Sequence, residues 1–224
     1  MSREGKKLQI AIPIYEGFTA LDAIASFEEI TSPDVIILPG GSTTGLFLDD
    51  DSFLSWIRKV HERTLYTTSV CTGSHLLAAA GLLKDLTATT HWKTYEVLEK
   101  YGAKPTDKRV VQEGKIITAA GVSSGIDMGL LLVSLLADEQ TAKAIQLYIE
   151  YDPQPPFDSG AVSKATPEVI QLTESFLARE GKFAAANYQK LSLGKCHSPP
   201  QKVNEICGAL MEVPKELTTS GRQA

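Results

Sequence analysis

Residues 64–83 read TLYTTSVCTGSHLLAAAGLL. The run 65–70, LYTTSV, is rich in β-branched and aromatic side chains, which fit a pleated, half-buried backbone, and predicts a strand. One cysteine ends it. Small residues follow, and an apolar helical pattern then runs to about Ala80, with Gly81 as its stop. This is a strand, a sharp corner and a helix. In an open α/β sheet, chemistry sits at the carboxyl ends of the strands, and Cys71 falls there. Such a corner strains the backbone and pushes the side chain outward. The helix that follows aims its N–H groups and positive dipole end at the sulfur, which favours thiolate. Thr72, Gly73 and Ser74 are small enough for backbone to approach a ligand closely.

Working outward from the corner, LQIAIPI (8–14) and VIILPGG (35–41) read as buried strands. A helix is predicted from about Ala20 to Ile30, ended by SPD, and an amphipathic one from Asp51 to Arg63, with Phe53, Leu54, Ile57 and Val60 on one face. TATTHW (87–92) reads as a short extended piece and TYEVLEKYG as a helix with a glycine stop. RVVQEGKIITAAG (109–121) reads as a hairpin turning at Glu113-Gly114. Two helices follow, SSGIDMGLLLVSLLAD and EQTAKAIQLYIEY. The Pro/Gly/Ser-rich stretch 152–167 reads as a loop, and Pro167 to Arg179 as a last helix. From about Leu191 the chain is polar without a period. This predicts one α/β domain over 1–190 and a weakly ordered tail over 191–224. Alternating strands and helices predict a three-layer sandwich around a mostly parallel sheet.

Composition narrows the function classes. The chain has 224 residues, a net charge of −5 and a pI near 5.4. It has no basic stripe, which argues against nucleic acid. The apolar run MGLLLVSLLA is far shorter than a membrane span. The start, MSREGKKLQIAIPI, lacks the pattern of a secretory signal. Three cysteines, Cys71, Cys196 and Cys207, make no disulfide framework, so a reducing cytoplasm is expected. Four scattered histidines show no metal-ligand spacing, and there is no glycine-rich nucleotide loop, so neither metal nor cofactor is expected.

The corner SVCTGS, taken with LPGG upstream, resembles the DJ-1/PfpI superfamily, whose members have a flavodoxin-like, glutamine-amidotransferase-like fold. CTGSHLLAAAGLLKDLTATTHW (71–92), GVSSGIDMGLLLV (121–133) and QLYIEYDPQPPFDSG (146–160) narrow the resemblance. They are similar to the branch holding isonitrile (isocyanide) hydratases and the ligand domains of some AraC-type regulators. The likeness runs from about residue 8 to 180. It implies Cys71 as nucleophile, with Asp22 as the acid beside it and Glu28 as a second acidic position. Like-charge repulsion from a thiolate would raise the Asp22 pKa, letting it hold a proton near neutrality. Protease-like members have a histidine directly after the cysteine; here Thr72 stands there, which argues against peptide hydrolysis. His75 lies about one helical turn on, and its position leaves open whether it faces inward or away. The N–H groups of Gly40 and Gly41, beside that of Thr72, would form an anion hole. His91 and Trp92 match the branch as pocket positions.

The chemistry this implies is cofactor-free hydration of an isocyanide to an N-substituted formamide through a covalent thioimidate, by a homodimer acting on a small molecule. The rival readings are a ligand-binding or redox sensor, since an exposed low-pKa cysteine oxidises readily, and a glyoxalase or deglycase activity known elsewhere in the superfamily. The residues after Arg179 are too few for the two helix-turn-helix units of the AraC-type regulators. The chain also departs from the superfamily: only EITS separates Glu28 from PDVIILPGG, where another strand is normally inserted. LQIAIPI is therefore expected at a sheet edge.

Overall fold

The computed structural model describes residues 8–13 and 32–179. The predicted helix at 20–30 with Asp22 and Glu28, the boundary at residue 190, the tail 191–224, and Cys196 and Cys207 all lie outside the described residues. The sheet has five strands in the order β1-β2-β3-β7-β6. These are β1 (Ile10–Ala11), β2 (Val35–Leu38), β3 (Tyr66–Val70), β6 (Val110–Glu113) and β7 (Ile116–Ala119). All neighbours are parallel except the hairpin β6–β7. Gly114 turns that hairpin at φ +59°, a left-handed conformation that glycine adopts without a Cβ clash. Among the described residues β1 lies at one end of the sheet, pairing Ile10 with Val35 and Ala11 with Ile36. The predicted strand at 8–14 thus contributes two ladder residues. A separate two-stranded parallel pair joins β4 (Thr87–Ala88) to β5 (Lys104–Pro105).

The strand side chains alternate between two apolar clusters. Ile36, Leu38 and Ile116 join one, with Ile57 of α1 (Asp51–Arg63) and Leu76 of α2 (Gly73–Ala79). Val35, Val70, Ile117 and Ala119 join the other, with Met128 and Leu132 of α4 (Ser124–Leu136). The three layers are thus α1 and α2, then the sheet, then α4. Against α4 packs α5 (Glu139–Tyr148), and α3 (Tyr95–Lys100) packs against α2 and β5. A further helix, α6, covers 167–179.

Local chemistry explains the element ends. Asp50 caps α1, its Oδ1 accepting from the N–H of Ser52 and of Phe53, both at 3.0 Å. Leu54, Ile57 and Val60 then bury one face of α1. Complete burial of Ile57 and Leu76 stabilises the fold by about 2–3 kcal/mol each. The central strand β3 is unusual in carrying hydroxyls into both layers. Thr67 Oγ1 lies 2.8 Å from His61 Nδ1 and 2.8 Å from Thr64 Oγ1. Thr68 Oγ1 donates to the Ile36 carbonyl at 3.0 Å. Each buried hydroxyl so paired avoids the cost of an unsatisfied polar group.

Candidate active site

The corner between β3 and α2 is as sharp as its sequence predicts. Cys71 has φ +56°, a left-handed value that costs a non-glycine residue roughly 1–2 kcal/mol. Its backbone is held from both sides. The Cys71 N–H donates to the carbonyls of Ala119, the last residue of β7, at 3.0 Å and of Ala120, just beyond it, at 2.8 Å. The Cys71 carbonyl accepts from Ser74 Oγ and Thr90 Oγ1, both at 3.1 Å. The residue is 7% exposed. It is a buried free cysteine and belongs to the α4 cluster.

Two glycines let this corner close against the end of β2. A Cβ on Gly73 would come within 2.0 Å of the Leu38 carbonyl oxygen and 2.8 Å of that of Pro39. A Cβ on Gly40 would meet the Thr72 nitrogen at 2.7 Å and Cys71 Cβ at 2.8 Å. Both contacts are tighter than any side chain tolerates, so Gly40 and Gly73 are steric requirements of the elbow. Between them Thr72 acts as a latch. The Gly41 N–H donates to Thr72 Oγ1 at 3.0 Å, and Thr72 Oγ1 also lies 3.2 Å from the Gly41 carbonyl and 3.0 Å from Thr44 Oγ1. Thr44 Oγ1 donates to the same carbonyl at 2.9 Å. The Gly41 amide is therefore engaged within the elbow, and the Thr72 hydroxyl is turned toward the loop after β2. Gly40 instead packs its backbone against the Thr72 amide.

His91 stands at the rim. It begins a short 3-10 turn, Trp92–Thr94, and its Nδ1 accepts from the Lys93 N–H at 3.4 Å. Its Cδ2 lies 3.7 Å from where a Cβ on Gly121 would stand, and Gly121 follows the alanine pair that grips the Cys71 N–H. Burial pushes the His91 pKa below its ordinary value. A shallow, open cleft lies between Trp92 and residues 159–173, lined by Gly160, Ala161, Val162, Val169 and Ile170 among others. Lys93 forms an ion pair with Glu174, tying this turn to α6.

Two features were not read from the sequence. His75 faces inward: it is 4% exposed, and its Nε2 lies 3.0 Å from Thr94 Oγ1 and 3.2 Å from Thr90 Oγ1. Burial, with a smaller contribution from His91, lowers its pKa to about 4. Its described hydrogen-bond partners are these two hydroxyls. The second feature is a polar cluster over the β7–α4 turn. Arg109 Nε donates to Asp127 Oδ2 at 2.6 Å, and the Tyr151 hydroxyl donates to Asp127 Oδ1 at 2.6 Å. The hydrogen bond to Asp127 raises the Tyr151 pKa. The Arg109 carbonyl accepts from the Ala120 N–H at 2.8 Å, so the cluster braces the same segment that holds Cys71. No local periodicity reveals such a contact. Its one sequence trace is that Asp127 and Tyr151 both fall inside the stretches that carry the family resemblance.

Among the described residues no group of three or more His, Cys, Asp or Glu is placed to hold a metal ion. Nor is any described helix long and apolar enough to cross a membrane. Asp22 and Glu28 lie outside the described residues, so their distances to Cys71 are not part of this geometry.

A mostly parallel α/β sheet with a strained cysteine at the strand–helix corner defines a class, and the comparison of sequences agrees: the chain belongs to the DJ-1/PfpI family, whose model matches residues 16–135. Within it, the chain is 43% identical over 150 residues to the isonitrile hydratase of Pseudomonas putida, an alignment spanning 67% of this chain and 66% of that protein. It is similar in structure to a THiJ/PfpI family protein from Pseudomonas syringae, with a TM-score of 0.71 and 32% identity, covering 81% of this chain and 90% of the other. It is also 28% identical to protein DJ-1alpha of Drosophila melanogaster over 113 residues, 50% of this chain and 52% of that one. The chain thus spans roughly two thirds and one half of the curated relatives it matches.

Proposed function

We propose that this protein hydrates isocyanides to N-substituted formamides with Cys71 as the nucleophile. The observation that carries the proposal is the left-handed, doubly anchored Cys71 at the carboxyl end of β3, in a chain 43% identical to an isonitrile hydratase. In this reading the Cys71 sulfur bonds to the terminal carbon of R–N≡C. Asp22 gives that carbon a proton, and the product is a thioimidate, R–N=CH–S–Cys71. Water adds to the carbon with the Asp22 carboxylate taking one of its protons, and the nitrogen takes up a proton. The C–S bond then breaks to return the thiol and release R–NH–CHO. The net change is addition of one water, and no cofactor is consumed. The oxygen introduced by water would face the Thr72 amide beside Gly40, with Glu28 and His91 at the substrate's rim.

A cytoplasmic, reducing setting belongs to the same proposal, because the cycle needs Cys71 as a thiol. So does a homodimer: Val169, Leu172 and Phe176, 39%, 54% and 49% exposed, share one face of α6 at spacings of three and four residues. Light scattering at micromolar concentration would read a mass of two chains. The activity test is formamide production from a simple alkyl isocyanide by the wild type and Cys71→Ala. Loss of turnover in the variant supports the proposal, and undiminished turnover ends it. Wild-type protein that ignores isocyanide but consumes methylglyoxal, or whose Cys71 is oxidised by mild peroxide without any turnover, would favour the glyoxalase or the sensor reading instead.

A further inference from the structure

His75 is a buried titratable side chain beside the elbow that the proposed chemistry does not use, and the protons around it can be assigned one by one. Thr90 Oγ1 lies 3.1 Å from the Cys71 carbonyl, and Thr94 Oγ1 lies 3.0 Å from the His91 carbonyl. A carbonyl only accepts, so each hydroxyl gives its single proton to one of them. Neither hydroxyl then has a proton left for His75. Yet His75 Nε2 sits 3.0 Å from Thr94 Oγ1 and 3.2 Å from Thr90 Oγ1. Both contacts are satisfied at once only when Nε2 carries the proton and shares it between the two oxygens. If Nε2 were bare, a hydroxyl would have to turn toward it, leaving the Cys71 carbonyl to Ser74 Oγ or the His91 carbonyl to the Thr94 N–H.

We propose that His75 is a positioning residue for Cys71: its Nε2–H holds Thr90 and Thr94 with their own protons directed at the Cys71 and His91 carbonyls. One side chain thereby joins the elbow CTGSH to the rim segment TTHW. Thr90 pins the carbonyl end of the strained residue, opposite the grip of Ala119 and Ala120 on its N–H. Thr94 pins the turn that presents His91. The imidazole is neutral through the physiological range, since its pKa lies at about 4, so this arrangement does not change with pH above about 5. The proposal rests on Cys71 being the reacting thiol, but not on the identity of the substrate.

The test measures the thiol directly. Iodoacetamide alkylates Cys71, the sulfur displacing iodide, and the rate is followed by mass spectrometry of the Cys71 peptide at pH 7.5. His75→Phe keeps the ring volume and removes the donor. His75→Gln returns a side-chain N–H at similar reach. The expected result is alkylation about tenfold slower in His75→Phe, because the sulfur is no longer held in place, and recovery to near the wild-type rate in His75→Gln. Nitrogen NMR of the wild-type imidazole should show the proton on Nε2. Equal rates in the wild type and His75→Phe, or a proton on Nδ1, would overturn the proposal. Should His75→Phe fail to fold, the wild-type tautomer decides alone. A wild-type Cys71 that resists alkylation altogether would instead count against its role as nucleophile.

Discussion

Replacing His75 by phenylalanine should remove a specific part of the protein's acid sensitivity. The native imidazole is 4% exposed and titrates at about 4, against 6.5 for an ordinary histidine. The unfolded chain therefore binds a proton below pH 6.5 that the folded chain refuses until near pH 4. Stability from this residue is complete above pH 6.5, is lost as the pH falls toward 4, and changes no further below that. By linkage the full gap corresponds to about 3 kcal/mol, and most of it is lost by pH 4.5. Burial also lowers the pKa of His61, which remains in the variant and cancels in the comparison; His91, whose charge opposes that of His75, gains from the removal of His75 and adds to the shift in the same direction. At neutral pH the variant loses about 1 kcal/mol of hydrogen bonding and regains part of it through apolar burial. The assay is urea unfolding followed by the fluorescence of Trp56 and Trp92 at pH 7.5, 6.5, 5.5 and 4.5. Wild type minus variant should shift by roughly 2–3 kcal/mol in favour of the variant across that series. A difference constant to within about 0.5 kcal/mol would show that His75 is not held neutral by burial and would refute the reasoning.

The elbow makes two further predictions. Gly73→Ala places a methyl 2.0 Å from a backbone oxygen that cannot swing away, so it should cost about 3 kcal/mol or more and show as a lowered urea midpoint or insoluble protein. Because Cys71 has φ +56°, Cys71→Gly should be more stable than Cys71→Ala by about 1 kcal/mol, although both lack the thiol; an alanine variant as stable as the glycine one would mean the elbow relaxes once the sulfur is gone.

Much of the architecture was legible because its signals are local. The apolar spacing of Leu54, Ile57 and Val60 marked the buried face of α1, and Gly114 marked the hairpin turn. The run from Tyr66 to Val70 followed by small residues marked the elbow, and Gly81, with φ +81°, ends the helix where its sequence position said it would. What escaped depends on partners far away in the chain. β5 contributes two residues, too few to leave a period, and its pairing with the extended piece at 87–92 has no local signal. The need for glycine at 73 comes from the Leu38 carbonyl, 35 positions earlier. The inward turn of His75 is decided by Thr90 and Thr94, and the Asp127 cluster by Arg109 and Tyr151. The latch that the Thr72 hydroxyl makes on the loop after β2 is likewise decided by distant groups, the Gly41 N–H and carbonyl.

The hydroxyls of β3 have a consequence beyond the folded state. Both sides of this strand are covered, so alternation of polar and apolar residues does not tell it how to align, and a slip of two positions would keep every side chain on its own side. Such a slip would strand the oxygens of Thr67 and Thr68, which now rest on His61, Thr64 and Ile36. Valines at both places would fill the same space and pair as well in the finished sheet. They would also turn YTTSV into a sticky, uncharged β-forming segment on a chain still emerging from the ribosome. Threonine lets the centre of the protein stay wettable until its partners arrive, and then penalises every alignment but one.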